Sequence, residues 1–498
     1  MRTWTLLRAF GNLTLSCVVL WAAAGTATAW EAIWHLGGYT PEIGTNVHVD
    51  AAGHVYVAGW ALIDSRGDSD IVAVKYDPNG VKLWDYLYDA GLHNALGYDE
   101  PVGIGTDSAG NVYVAGRCRF DRAGTQDYDY VAFKLNSDGV HQWTAHYDRT
   151  DGSSPHGDDR AVDMHVDSAG NLWVFGESDG DYLTLKYNTH GVLQWTARYA
   201  GDFPGVGNIP AAIAVDAAGN AVVTGSSMDA SAAYDYVTLK YDSTGAQVWR
   251  TRYGHAGAHG FEATAIAVDG GGNVAVTGAT QVGGGTVQPT DMTTVYYSSD
   301  GVEQWARTFS GTGDNGIFDD RGTSVAFDSN GHVIAAGWAT MTGTAIDYLV
   351  VKYDSSGVEQ WHALYNEMPS SPSTADSYDY AYAVAVDAAG GIHVAGRLHR
   401  DWMGVTQDQT YGVVSYTPAG ALAAVRHFDH DPSLPLPDEA LAIAVSASGV
   451  LAVTGAAYGP STWEDIGTFS ETLTSGSLVF ADGFETGSTG RWSATVGG

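Results

Sequence analysis

The sequence is short of cysteine and of positive charge, and each shortage excludes a class of protein. Of its two cysteines, Cys17 lies in an N-terminal apolar stretch, so only Cys118 remains if that stretch is removed. An internal disulfide is then excluded, and stability has to come from packing. With 23 Lys+Arg against 57 Asp+Glu the formal net charge is -34, a surface that repels nucleic acid and anionic lipid. Beyond the N-terminus no segment reaches the ~18 apolar residues of a membrane span. No GxSxG elbow, HExxH pair, P-loop or EF-hand loop occurs. "DGSSPHGDD" from 151 and "GTGDNGIFDD" from 311 are acidic and Gly-rich without calcium-loop spacing.

What the N-terminus does have is Arg2 and Arg8, then "LTLSCVVLWAAAG", then "ATA" before Trp30. Charged, apolar and small residues in that order define a secretory signal peptide, so residues 1–29 are read as the signal and the mature chain as starting near Trp30. The expected location is outside the cytoplasm of a bacterium: periplasm, outer surface or medium. Cys17 has Thr14 three residues before it rather than the Leu that a lipoprotein signal prefers.

A repeat organises the rest. Eight times a short apolar strand runs into an Asp-x-x-Gly turn, whose glycines are Gly53, Gly110, Gly170, Gly219, Gly272, Gly331, Gly390 and Gly449. Asp opens seven of these turns and Ser446 the eighth; the acid bonds to the backbone just beyond it, and Gly supplies the positive φ. A second strand and a variable loop follow. The third strand is alternating and β-branched, as in "DIVAVKYD" from 70 and "DYLTLKYN" from 181, and the fourth carries Trp84, Trp143, Trp195, Trp249, Trp305 and Trp361. Four short antiparallel strands every 45 to 60 residues predict an all-β β-propeller over 30–474. Eight blades are expected, the last completed by "EAIWHLGGY" at 31–39. The alternative is seven blades with leftover strands, for which "SGSLVF" at 475–480 is a rival closing strand.

On "VDSAGNLWVFGES" from 166, "DYLTLKYNTHGVLQW" from 181 and "VDAAGNAVVTGSS" from 215, the chain resembles the bacterial SBBP-type β-propeller repeat proteins. The resemblance spans about nine tenths of the chain. It implies the fold and export, and it brings no catalytic residues with it. The tail 475–498, with "FADGFETGSTGRWSATVGG" from 480, is similar to C-terminal segments of secreted proteins from some Gram-negative bacteria and is expected to pack loosely.

Residues that recur in every blade serve the blade, which is the reading for the Trp series and for Lys75, Lys134, Lys186, Lys240 and Lys352. Eight residues before each turn Asp or Ser stand Glu42, Asp99, Asp159, Asn208, Phe261, Asp320, Asp379 and Asp438. The six carboxylates are either an acidic rim able to hold Ca²⁺ through oxygen or caps on the backbone of the loops before them. Two and four residues before the turn, six blades carry only Gly, Ala or Ser, and Gly103 and Gly105 make the barest pair. The exceptions are Asn46 and His48 in blade 1 and Asp163 and His165 in blade 3. His48, His165 and Asp163 are therefore candidates for a channel-side pocket suited to Zn²⁺ or to proton transfer, the alternative being volume compensation for the glycines.

The loops "GRCRFDRAG" from 116 and "GRLHRDWMG" from 396 concentrate Arg117, Arg119, Arg122, Arg397, Arg400 and Trp402. They are candidate binding residues for a glycan or protein ligand on one face of a monomeric propeller. The expected function is an extracellular or cell-surface binding or scaffold module. The alternative is a lyase or hydrolase for an acidic glycan, in which Arg neutralises the uronate and His165 or His48 moves the proton.

Overall fold

A computed structural model describes residues 29–473, except 37–40, 64–66, 91–97, 123–124, 150–157, 168, 204–206, 230–232, 255–259, 282–288, 313–318, 344, 368–376, 403–404, 429–437 and 458–464, together with 494–495. The expected signal residues 1–28 and the rival strand 475–480 lie outside the described residues.

The chain is an eight-bladed β-propeller. Each blade is an antiparallel sheet of four main strands, and in the first seven these follow one another in the chain. The innermost strands are Glu42–Val49, Glu100–Thr106, Asp159–Val166, Ile209–Val215, Phe261–Val268, Arg321–Phe327, Tyr380–Val386 and Glu439–Val445. Each touches the next around the ring, and Glu439–Val445 touches Glu42–Val49. The eighth blade is closed by the N-terminal strand Ala29–Trp34, which pairs antiparallel with Asp465–Thr472. It begins two residues earlier than the segment expected from sequence. Ala494–Thr495, within the tail, pairs with Val425–Arg426 at the edge of blade 7.

Among the described residues the apolar core is divided into eight clusters that lie largely between blades. Third strands such as Asp181–Tyr187 are buried along their whole length, whereas outermost strands such as Leu193–Tyr199 alternate towards solvent. That gradient follows from a sheet covered on both faces by its neighbours and open only at the perimeter.

The repeat chemistry gathers on one face, here the turn face. All eight Asp/Ser-x-x-Gly glycines have φ between +75° and +85°. Asp50 Oδ1 accepts the N–H groups of Ala52 and His54, both at 2.9 Å, and the other Asp turns repeat this two-and-four pattern. The Trp series joins blades, as expected from its recurrence. Trp84 Nε1 donates to Ser137 O of the next blade at 3.0 Å, and Trp30, Trp143, Trp195, Trp249, Trp305 and Trp361 make the equivalent bond at 3.0–3.1 Å. The indole lies against the turn glycine of that neighbour, so that a Cβ on Gly139 would stand 2.7 Å from the Trp84 ring. The lysines find carboxylates or carbonyls: Lys240 with Asp216 and Lys352 with Asp328, both at 2.9 Å, and Lys75 with Ser137 O at 3.1 Å. Between blades 7 and 8 Ala424 stands where the Trp would be, and a buried Arg426–Glu471 pair at 2.6 Å bridges the seam instead.

Candidate functional site

Every innermost strand carries a register shift at its middle, for example between Ala161 and Asp163. Its channel side has no strand partner, so N–H groups along it need other acceptors. Asp163 supplies one. Its Oδ2 accepts Ile213 N of blade 4 and its Oδ1 accepts Met164 N, both at 2.8 Å. Ser324, at the same place in blade 6, accepts Val384 N of blade 7 at 3.2 Å. Burial pushes Asp163 up to about 7, against the pull of these two N–H bonds.

His48 Nε2 lies 2.9 Å from Thr106 Oγ1 of blade 2. Burial lowers its pKa, Asp50 opposing and His165 assisting, and burial likewise lowers that of His165. Among the described residues, three groups bring His, Cys, Asp or Glu ligand atoms within 4.8 Å of one another, and the expected set of His48, Asp163 and His165 is not one of them. The hollow expected at the glycines is filled as well, though not by histidine: a Cβ on Gly103 would stand 2.2 Å from Met164 Cγ, and one on Gly105 3.1 Å from Val166 Cγ2. Met164 points the opposite way from Asp163 because neighbours alternate across a strand. The site expected from side-chain type is thus resolved into a backbone acceptor, a hydroxyl contact and a glycine-accommodated methionine.

The six carboxylates do not make an open rim. Glu42, Asp99, Asp159, Asp320, Asp379 and Asp438 are all at most 2% exposed. They lie at blade seams and cap the loop arriving from the previous blade. The N–H two residues past the outermost strand donates to each of five: Leu36 to Glu42, Ala90 to Asp99, Arg149 to Asp159, Gly311 to Asp320 and Glu367 to Asp379. Burial is the largest cause that raises Glu42 to about 8, Asp99 to about 7, and Asp159 and Asp320 to about 6. The three ligand groups are built on this position: His35–Glu42–Asp465, Asp70–Asp89–Asp99 and Asp129–Asp148–Asp159. The sequence reading missed the partners of the capping acids. The Asp that opens most of the third strands was the available signal.

The Arg-rich loops are long β-arms on the opposite, hairpin face. Val112–Arg122 with Thr125–Leu135 in blade 2, and Ile392–Trp402 with Val405–Tyr416 in blade 7, are longer than their counterparts elsewhere. Arg117 is paired with Glu100, and Arg397 with Glu439 at 2.6 Å. Arg117, Arg119 and Arg160 all stand over the Tyr128 ring, at 5.8, 5.9 and 4.8 Å. Arg397 stands 4.7 Å over Tyr380. The Tyr380 ring also meets Trp338 edge-on at 5.1 Å and stacks with Tyr378 and Tyr382 at 6.5 and 6.4 Å. Trp338 Nε1 is buried without an acceptor. The side chains of Arg122, Arg400 and Trp402 lie outside the described residues.

No family model matches the chain, and no curated protein matches it. Among solved structures it is similar to a protein from Lactobacillus plantarum at 17% identity, covering 65% of this chain and 84% of that one with a TM-score of 0.40. It is also similar to the β-propeller domain of the trilobed protease from Pyrococcus furiosus (7% identity, 76% of this chain and 95% of that one, TM-score 0.39). A third is the WD40 domain of SCAP from fission yeast (9% identity, 86% and 96%, TM-score 0.43). The fold assignment rests on the strand pairing above.

Proposed function

We propose that this chain is an exported propeller of the SBBP repeat type that binds acidic glycans on its hairpin face. The observation that carries the reading is the pairing of guanidinium and tyrosine where the two long arms meet the innermost strands. Three arginines surround Tyr128 and one covers Tyr380, in a chain with only 23 basic residues. Arginine offers a planar fork to a uronate carboxylate, and aromatic rings offer a face to the sugar. Tyr378, 38% exposed, extends the aromatic row outward from Tyr380. The lyase or hydrolase alternative relied on His48, Asp163 and His165 converging, and both Asp163 oxygens serve backbone N–H groups instead. Export rests on the order of residues in 1–29.

Affinity electrophoresis and calorimetry with polygalacturonate, alginate and neutral dextran test the reading. The acidic polymers should bind and dextran should not. Tyr128→Ala and Tyr380→Ala should each weaken binding about tenfold, the scale of losing one stacking contact, with little change in Tm. Equal retention of all three polymers, or binding unchanged in both variants, would overturn it.

A further inference from the structure

Blade 8 takes its outermost strand from the N-terminal side of the ring, and a histidine meets two carboxylates where that strand ends. Trp34 pairs with Ile466, so the residues one step further, His35 and Asp465, come opposite each other. Glu42 opens the innermost strand of blade 1 at the same seam. His35 Nδ1 lies 3.1 Å from Asp465 Oδ1 and 3.4 Å from Glu42 Oε2, and the three ligand atoms all lie within 4.8 Å of one another. The side chains of Glu42 and Asp465 are buried, and that of His35 is half-buried.

These atoms are close without being hydrogen-bonded. Glu42 Oε1 accepts Leu36 N at 2.8 Å, but its Oε2 is buried and accepts no hydrogen bond. His35 Nδ1 is also buried, and it is aligned for a hydrogen bond with neither acid. A proton on that nitrogen would serve one oxygen along one line, so it does not account for a nitrogen set between two. A fully buried carboxylate oxygen without a donor calls for a positive partner. Other blades fill the residue after the outermost strand differently. Asn366 Nδ2 in blade 6 donates to Asp347 Oδ1 at 2.6 Å, and Ser310 in blade 5 bonds to Asp291, each acid lying near the start of the blade's own third strand. Blades 1 to 4 have Asp89, Asp148, Ala200 and Gly254 there. Among the described residues, only the closing strand puts an imidazole at this position.

We propose that His35, Glu42 and Asp465 bind a Zn²⁺ ion that clasps the N-terminal strand into the ring. One nitrogen and two carboxylate oxygens are donors that zinc accepts, and two ligands at about 2.1 Å from a tetrahedral zinc stand about 3.4 Å apart, close to the 3.1 and 3.4 Å found here. Ca²⁺ and Mg²⁺ take oxygen donors and are served poorly by an imidazole. The three ligands come from the closing strand, from blade 8 and from blade 1, so the ion joins the one blade whose strands are not continuous in sequence. Nothing in this inference depends on glycan binding.

The test uses the purified protein after EDTA treatment and dialysis, titrated with Zn²⁺ by calorimetry, beside His35→Ala and Glu42→Gln. His190→Ala, at an exposed histidine elsewhere in the ring, is the control for adventitious zinc. The wild type and His190→Ala should each bind zinc at this site and gain Tm. His35→Ala should bind at least about tenfold more weakly, since losing a ligand costs no less than losing an outer-shell partner, and its Tm should not respond. Zinc should also slow amide exchange in Ala29–Trp34 of the wild type and leave that of His35→Ala unchanged. If Glu42→Gln does not fold, the half-buried His35→Ala carries every readout. A wild-type Tm indifferent to zinc and EDTA, or zinc affinity in His35→Ala equal to that of the wild type, overturns the proposal.

Discussion

Asp328 on the turn face is held down at about 2, while Asp99 on the hairpin face is pushed up to about 7. Burial disfavours the charge of both. Asp328 overcomes it with Lys352, the His332 ring and the N–H groups of Asn330 and His332. Asp99 has the N–H groups of Ala90 and Arg119, and it faces the repulsion of Asp89 and Asp68. Asp99 is the more deeply buried of the two, and fewer donors and like-charged neighbours add to that burial, whereas the donors around Asp328 outweigh its milder burial. The turn face is a finished structure repeated eight times, whereas on the hairpin face buried carboxylates meet one another.

The largest expected effect is on pH dependence, because the faces carry opposite signs. A folded pKa above the unfolded one gives stability that is present below about 4 and lost as pH rises through the folded value. Glu42, Asp99, Asp159, Asp163 and Asp320, raised to between about 6 and 8, should thus destabilise the protein progressively between pH 5 and 8. His48 and His165, both lowered, oppose this in part. The turn-face carboxylates Asp50, Asp107, Asp167, Asp216, Asp328 and Asp387 are lowered, and their contribution is lost only as pH falls below about 4. Urea midpoints across pH 3–8 that rise steadily to neutrality would break the comparison.

Next in size is the turn-face staple. Trp305, 5% exposed, bonds Ser355 O at 3.1 Å across the seam; Trp305→Ala should cost ~3–5 kcal/mol by urea unfolding, against little for Tyr380→Ala on the other face. Asp163→Ala should cost ~1–3 kcal/mol, since it strands Ile213 N–H in the channel wall. Asp163→Ser should recover much of this, as Ser324 does the same work in blade 6. If Asp163 were catalytic rather than structural, Asp163→Ala would leave the unfolding midpoint alone. Gly103→Ala should be the mildest at ~1–2 kcal/mol, because the flexible Met164 can give way. Pairing it with Met164→Ala should then cost less than the two changes summed.

The repeat was legible because its signals are local. A turn Asp and its Gly bond within five residues, and a Trp recurring at one strand position needs no ligand to explain it. At the His48 and Asp163 locus the sequence left two readings open because side-chain type does not reveal direction. Asp163 and Met164 are neighbours in sequence but face different blades, and only the latter meets Gly103. The capping acids were visible as a column, yet their partners were not, since Asp129, Asp148 and Asp159 are separated by 19 and 11 residues and by a seam.

The sequence alone determined the blade and its turns, because these are set by short-range periodicity and by φ-permissive glycine, and it favoured eight repeats closed by the N-terminal strand over seven. The tertiary structure decided the blade number and its closing strand, which carboxylates meet, and which arginines find tyrosine. Those relations depend on how one blade rotates onto the next, and that rotation is fixed by packing across eight seams rather than by any segment of the chain.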